Sequence, residues 1–340
     1  MIDIWTKQAR TWCDLVKPTG TGRQRVPGRH NYPSKHVDPG NFLENDEVSR
    51  MLGPGETISQ DDAPSIYNCV HCNECGTSHE RALLAKKFID NGFTFDGKDE
   101  LERNFKGTDT PYQSNKMRIR PPPGIPERSD RLFFMGCLST IKIPKFTEDA
   151  LKYLLSRGID FTILKTEACC GYPAYAAGLF GEYERVKAKN AALFAKYEEV
   201  VCLCPACYFL YTSDYPEMKT RFSYISEYLT PPATKKTGSV SVQHMCQLQN
   251  RGHPEVSGQT NELLKASGYD VKDVPHWCCG GGKGYMYRTD VIDKIAETRM
   301  HDFTGDYMTT TCPGCYWVLK VYGARCKVEP RLKDMFELLG

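Results

Sequence analysis

Ten cysteines of this 340-residue chain fall into one spacing pattern written twice, and thiols grouped in this way are ligands for metal. The first set is Cys137, 31 intervening residues, the adjacent pair Cys169-Cys170, 33 residues, and Cys204-Pro205-Ala206-Cys207. The second is Cys246, 31 residues, Cys278-Cys279, 32 residues, and Cys312-Pro313-Gly314-Cys315. Each cysteine of the second set lies 108 or 109 positions after its counterpart, so a unit of that length has been duplicated with its thiols intact. Gly171 and Gly280 follow the two vicinal pairs, and a proline lies inside both C-x-x-C motifs. The backbone is therefore repeated along with the sulfur spacing.

Each unit offers five thiolates. A structural zinc ion takes four ligands, and a cubane iron–sulfur cluster also takes four, which leaves one over. Adjacent side chains such as Cys169 and Cys170 leave the backbone in different directions, so one tetrahedral ion would find it hard to use both. A larger or more open iron–sulfur assembly has room for the fifth sulfur. The chain carries 16 cysteines in all, but disulfide scaffolds are short secreted domains, and this chain is long enough to build ordinary cores. Its first residues, Met1 to Lys7, show no basic, apolar and small-residue succession of a signal peptide. No apolar run approaches the roughly 18 residues of a membrane span, and the mean hydropathy is −0.49. The expectation is a soluble cytoplasmic protein, where clustered cysteines hold metal or do redox work.

A further metal motif lies upstream. Cys69-Val70-His71-Cys72-Asn73-Glu74-Cys75 has the C-x2-C-x2-C spacing of a bacterial ferredoxin site, but His79 stands where the fourth cysteine belongs, and Glu80 follows in place of proline. Three completions stay open for iron: His79 as fourth ligand, a remote thiolate such as Cys13, or a three-iron or decayed site. Three cysteines and one histidine also suit zinc, although the spacing favours iron. Cys202 and Cys326 read as packed thiols without a ligand role. The stretch Gly280 to Arg288 is rich in glycine but lacks the ordered phosphate-loop pattern. Its glycines let backbone approach a cluster, with amides aimed at sulfur. Lys142, Lys145, Lys283 and Arg288 could receive an anionic substrate, with solvated surface charge as the plainer alternative.

The elements that must position these thiols alternate. In the first unit, Arg131–Met135 reads as a buried strand ending at Gly136-Cys137, followed by a helix over Lys145–Ser156. A strand over Asp160–Leu164 leads to Cys169-Cys170, then come a helix over Glu182–Tyr197 and a strand over Glu199–Leu203 delivering Cys204. The second unit repeats this with strands at Ser239–His244, Asp270–Val274 and Thr309–Thr311, and helices at Gln259–Ala266 and Val291–Phe303. Such alternation predicts an α/β fold: two tandem, related, Rossmann-like halves with parallel sheets, preceded by an irregular and helical iron–sulfur segment. Ligands in such sheets gather beyond the carboxyl ends of the strands, where all three cysteine groups of each unit fall. The expected divisions are an extended arm over 1–60, the ferredoxin-like segment and linker over 61–128, and the two repeats over 129–236 and 237–340.

Charge excludes one class of partner. Forty-four basic and 42 acidic residues give a net +2 without long single-sign blocks, so no nucleic-acid footprint is evident. The basic, glycine- and proline-rich stretch from Lys17 to Lys35 reads as an arm that wraps a neighbouring subunit, and Met1–Val16 carries a helical apolar stripe.

The doubled Cys, Cys-Cys-Gly, Cys-x-x-Cys pattern resembles the CCG cysteine-rich domain family, above all the B-type subunit of heterodisulfide reductase and the matching part of its fused D-type counterpart. The resemblance covers about residues 130 to 325 and includes all ten thiols. It implies that Cys137, Cys169, Cys170, Cys204 and Cys207 hold one noncubane [4Fe-4S] cluster, and Cys246, Cys278, Cys279, Cys312 and Cys315 another. It also implies that the two face each other and cleave a disulfide joining two small thiols. Relatives receive electrons through ferredoxin-type cubanes. This chain offers at most one, at Cys69, Cys72, Cys75 and His79. The expected partners are therefore a flavoprotein of the reductase's A type and a ferredoxin-like iron–sulfur protein of its C type, or a membrane cytochrome that attaches the complex to a membrane face. The same domain serves in complexes that oxidise lactate, glycolate, glycerol-3-phosphate and succinate. The other reading is therefore an electron-transfer subunit placed between a flavin dehydrogenase and a quinone or other carrier.

Overall fold

The computed structural model describes residues 43, 45–62, 66–95, 97–282 and 289–340, and the backbone of two short paired strands, β1 (Val16–Pro18) and β2 (Arg23–Arg25). The remaining positions expected to form the Met1–Val16 helix and the Lys17–Lys35 arm lie outside the described residues, as do Cys13, Lys283 and Arg288.

Two parallel sheets carry the duplicated units. In the first, β3 (Arg131–Phe134), β4 (Glu199–Cys202) and β5 (Arg221–Tyr224) lie in the order β3-β4-β5. In the second, the order is β7-β6-β8-β9, from β6 (Ser239–Val242), β7 (Asp270–Lys272), β8 (Tyr307–Thr309) and β9 (Arg331–Leu332). The expected strand at Asp160–Leu164 is reduced to a single parallel bridge, Leu132 to Thr162. Thr162 alone pairs in both directions, its amide to Arg131 O and its carbonyl from Phe133 N, while its hydroxyl turns away to Pro126 O. With that bridge counted, both halves share one order: second strand, first, third, fourth. The fourth strands, β5 and β9, have no counterpart among the strands expected from the sequence. The expected strand at Thr309–Thr311 begins and ends earlier, as β8, leaving Thr310 and Thr311 fully buried beyond its end.

Helices cover the sheets: α4 (Cys137–Ile141), α5 (Pro144–Ser156), α6 (Tyr172–Ala177), α7 (Phe180–Phe194) and α8 (Pro205–Ser213) in the first half. The second has α9 (Cys246–Gln249), α10 (Glu255–Ala266), α11 (Thr289–Met300), α12 (Pro313–Cys326) and α13 (Met335–Leu339). One hydrophobic cluster runs through both halves. Phe146 of α5 packs on Tyr316 and Phe336 at ring-centroid distances of 4.8 and 5.4 Å. Burying such side chains stabilises by about 1.5–3 kcal/mol each, so the halves share a core and do not merely touch. Upstream, α1 (Asn45–Leu52) packs on α2 (Ser78–Asp90), and α2 and α3 (Lys98–Thr108) pack on the first half, with the Tyr67 hydroxyl donating to Ala177 O at 3.1 Å. Among the described residues no helix is long and apolar enough to cross a membrane.

Candidate metal centre

Strand ends deliver the sulfurs. β3 runs into Gly136 and Cys137 at the start of α4, and β4 runs into Cys204, the N-cap of α8, where Pro205 fills the first helical position that needs no amide donor. β6 and β8 do the same for Cys246 and Cys312, with Pro313 opening α12. The vicinal pairs sit on a turn that needs glycine: Gly171 and Gly280 have φ of +93° and +84°. A Cβ on Gly171 would meet Tyr183 and Val186, and one on Gly280 would meet Ile292 and Ile295. Those contacts are themselves 109 positions apart, so α7 and α11 correspond residue for residue.

All ten cysteines line one cavity at the junction of the halves. Their contacts repeat as well. Cys137 Sγ lies 3.4 Å from Cys169 Sγ, and Cys246 Sγ lies 3.8 Å from Cys278 Sγ. The second member of each vicinal pair turns to the C-x-x-C motif: Cys279 Sγ is 3.4 Å from Cys315 Sγ, and Cys170 hydrogen-bonds with Cys207. Backbone amides add to the sulfurs' partners, from Gly280 to Cys278 (3.3 Å), Gly281 to Cys279 (3.4 Å) and Cys315 to Cys312 (3.5 Å). Crowding opposes ionisation. The Cys169 thiol is pushed well up, chiefly by Cys137, and Cys315 chiefly by Cys279, with burial adding to both. Cations at the centre would relieve that repulsion and release protons on binding.

The donor set fits a multi-iron cluster better than a single ion. Four sulfurs at about 2.3 Å from zinc stand about 3.8 Å apart in every pair. Among the described residues, no three Cys or His donor atoms come within 4.8 Å of one another, in either set or in the upstream motif. The sulfurs instead follow one another in a string around one space, Cys137, Cys169, Cys170, Cys207 and Cys204 in the first set and Cys246, Cys278, Cys279, Cys315 and Cys312 in the second, five donors where one zinc ion takes four.

Behind the sulfurs the halves part. In the first, the buried Glu167 carboxylate accepts the amides of Met135 (2.9 Å) and Gly136 (2.6 Å), fixing the approach to Cys137. Burial pushes this carboxyl up to about 7 against those two bonds. Asn190 donates to Cys169 O at 2.9 Å. In the second half, Gln243 takes over, donating to His244 O (2.7 Å) and Trp277 O (3.0 Å), and accepts from Arg299 Nε at 2.7 Å. The rings of His244 and His276 lie 4.3 Å apart. Burial, then His276 and Arg299, hold His244 down to about 3, so it is neutral. Sequence reasoning did not single out Glu167, Asn190, Gln243 or Arg299; the 109-residue offset pairs Asn190 with Arg299 and would have marked the difference.

Cys69, Cys72 and Cys75 are all buried. Their loop docks at the junction of the halves, mostly against the second. The His71 carbonyl accepts from Tyr172 Oη (3.1 Å), Gln247 Nε2 (3.0 Å) and Arg251 (3.1 Å), which offsets the cost of its φ of +53°. Asn73 Nδ2 donates to Asn250 O (2.6 Å), and Asn250 Nδ2 returns a bond to Cys72 O (2.9 Å). A Cβ on Gly282 would fall 2.0 Å from Val70 O, so only glycine admits this loop. The Cys72 thiol reaches Cys278 of the second set. His79 is exposed at the start of α2, with Nδ1 2.6 Å from Tyr175 Oη. Lys142 is exposed, 5.0 Å from the centre of the Tyr112 ring, and Lys145 is ion-paired with Asp149 and with Glu337 (2.9 Å). Cys202 is fully buried in the first half's core, and Cys326 is half-buried.

Two parallel α/β halves with a duplicated five-thiol set between them define a class of redox metalloprotein built by tandem repetition. Residues 131–210 and 240–320 each match the cysteine-rich domain family CCG, so the chain carries that domain twice. An uncharacterised iron-sulfur protein of Methanocaldococcus jannaschii is 25% identical, covering 81% of this chain and 61% of its own length. The D subunit of the dihydromethanophenazine:CoB–CoM heterodisulfide reductase of Methanosarcina acetivorans is 22% identical, covering 86% and 82%. The B subunit of the fumarate reductase (CoM/CoB) of Methanothermobacter marburgensis is 22% identical, covering 55% and 41%. The chain thus spans about three fifths of the archaeal iron-sulfur relative that it matches.

Proposed function

We propose that this chain is an iron–sulfur oxidoreductase subunit of a heterodisulfide-reductase-like complex, in which one disulfide is reduced, or two thiols oxidised, between the two five-cysteine sets. The observation that carries the reading is that all ten thiols line one cavity, so a disulfide held there has a complete set on each side. Cys137, Cys169, Cys170, Cys204 and Cys207 would hold one noncubane [4Fe-4S] cluster, and Cys246, Cys278, Cys279, Cys312 and Cys315 the other. When bound, these clusters supply electrons one at a time and a soft metal for each sulfur. The balance is one disulfide, two electrons and two protons to two thiols. Cys69, Cys72 and Cys75 would hold a third cluster. Tyr175 engages His79 Nδ1, leaving Nε2 as the nitrogen for that site. The electrons would come from a flavoprotein and a ferredoxin-like subunit, or from a membrane cytochrome. Around the thiols the cavity is lined by glycine backbone, prolines, Leu138, Ala206, Ser139, Tyr172 and Gln247, and among the described residues no histidine lines it to make a Cys-His couple.

Anaerobic elemental analysis tests the metal content: about 12 irons per chain are expected, with matching sulfide and no stoichiometric zinc. About 8 would remove the upstream cluster, and about 4 or fewer with zinc present would overturn the reading. Thiol release from small disulfides, with an artificial one-electron donor, tests the reaction. A fully loaded chain that passes electrons onward yet releases no thiol would be the conduit between a dehydrogenase and a quinone.

A further inference from the structure

Among the places where the halves differ, one pair of equivalent buried side chains changes charge. The packing of Gly171 on Tyr183 and Val186, and of Gly280 on Ile292 and Ile295, fixes the alignment of α7 on α11 and sets Asn190 against Arg299. Both are buried, Asn190 at 1% exposure and Arg299 at 0%. Asn190 is a neutral amide bonded to Cys169 O and, at 3.2 Å, to Tyr215 Oη. Arg299 is a cation that protein surroundings do not deprotonate. Its Nε is taken by Gln243 and its NH1 by Asp302 at 2.8 Å, but its NH2 is buried without a hydrogen-bond partner. A buried donor left unmade is costly and calls for an explanation. Its charge acts on two sulfurs of the second set, Cys279 and Cys315. Neighbouring thiols, amides and burial lead in both sets, and the pull of Arg299 on Cys279 is a smaller addition that has no counterpart among the leading influences on Cys169, Cys170, Cys204 and Cys207.

We infer that Arg299 makes the two sulfur sets electrically unequal, so that a cluster held by the second set takes up its electron at a higher potential than one held by the first. The inference rests on the iron–sulfur reading of the two sets. Reduction adds negative charge to a cluster in a site of low polarity, where a fixed cation stabilises the reduced state more than in water. Asp302 offsets part of that charge, so the effect is set by the balance of the pair. The loop of Cys69, Cys72 and Cys75 docks mostly against the same half, with the Cys72 thiol against Cys278. The set beside the electron entry is then also the better electron holder, which retains the first electron until the second arrives. Arg299 is a tuning and positioning residue in this account, since through Gln243 it also steadies the segments leading to Cys246 and Cys278.

The test is a redox titration of the iron-loaded chain followed by electron paramagnetic resonance, with iron counted in each variant. Wild type is expected to show two midpoints for the paired clusters, and Cys279→Ala to lose the higher one. Arg299→Gln should lower that higher midpoint and leave the other in place, Arg299→Lys should restore it, and Asp302→Asn should raise it. Full iron in Arg299→Gln with both midpoints unmoved, or with only the lower one moved, would overturn the inference and leave the proposed function standing. Should Arg299→Gln fail to hold iron, Asp302→Asn decides: a raised higher midpoint supports the assignment and an unmoved one sinks it. A wild-type chain that takes up no iron removes the functional reading itself, an outcome read from iron content ahead of any potential.

Discussion

The two halves of this protein place their sulfurs alike and treat them differently. Strand order, the left-handed glycine after each vicinal pair, the proline opening each C-x-x-C helix and the sulfur-to-sulfur pairings recur at an offset of 108 or 109 residues. What surrounds them does not recur. The first half holds its cysteine turn with an acid, Glu167, which takes two amides; the second uses a neutral amide, Gln243, which gives two bonds and leans on Arg299. The upstream cysteine loop leans on the second half, where Gly282 admits it; the position 109 residues earlier is Pro173. Duplication preserved the arrangement of the thiols and let the groups behind them diverge.

The sharpest way to break that comparison is to disable one half at a time. Cys170→Ala and Cys279→Ala occupy equivalent places, and each is expected to abolish thiol release, although the set left intact still binds iron and is still reduced. Thiol assays with a one-electron donor, read beside iron content, decide it. Near-normal turnover in either variant, once shown to lack one cluster, would mean that the halves do not act on one disulfide. A smaller effect is expected where the halves differ. Gly282→Ala places a Cβ against Val70 O and should push the upstream loop off the second half, lowering iron from about 12 to about 8 per chain while both paired sets remain loaded. Unchanged iron would show that the loop's docking is not needed to form its site.

Much of this was legible in the chain, for a physical reason. Short apolar runs before Cys137 and Cys204 read as strands that deliver those thiols, and β3 and β4 end just before them. Gly171 and Gly280 were legible because only glycine takes that backbone angle cheaply. The Asp160–Leu164 stretch reads as a strand from its apolar and β-branched residues, yet only Thr162 pairs with β3, its amide and carbonyl both engaged and its hydroxyl on Pro126 O. Glu167 and Arg299 were hidden for a different reason. A lone charged residue in sequence reads as surface, and only packing reveals that each is buried behind a cysteine turn. Cys72 reads by spacing as part of an upstream site alone, and tertiary docking is what brings it to Cys278.

The smallest expected effect concerns the seam between the halves, away from the sulfurs. Asp149 of α5 meets Asp334 and Glu337 at the start of α13, with Lys145 paired to Asp149 and Glu337. Asp334 is fully buried, its Oδ1 accepting the Glu337 amide at 2.7 Å as helix cap. Burial above all, then the neighbouring Asp149 and Glu337 carboxylates, push this carboxyl from 3.8 up to about 8. Because the folded value lies above the unfolded one, the folded state holds a proton that the unfolded chain gives up. Stability is therefore fullest below pH 3.8 and declines as pH rises towards 8, at about 1.4 kcal/mol per pH unit while the group titrates. Asp334→Asn keeps a cap oxygen and offers Asp149 an amide donor, but cannot ionise. Denaturant unfolding from about pH 4 to about pH 8 should give matching stabilities at the acid end, with the variant the more stable at the alkaline end. Cysteine ligation and thiol release should be untouched. A slope that persists in Asp334→Asn would locate the titrating group elsewhere and leave the seam's carboxyls ordinary ion-pair partners of Lys145.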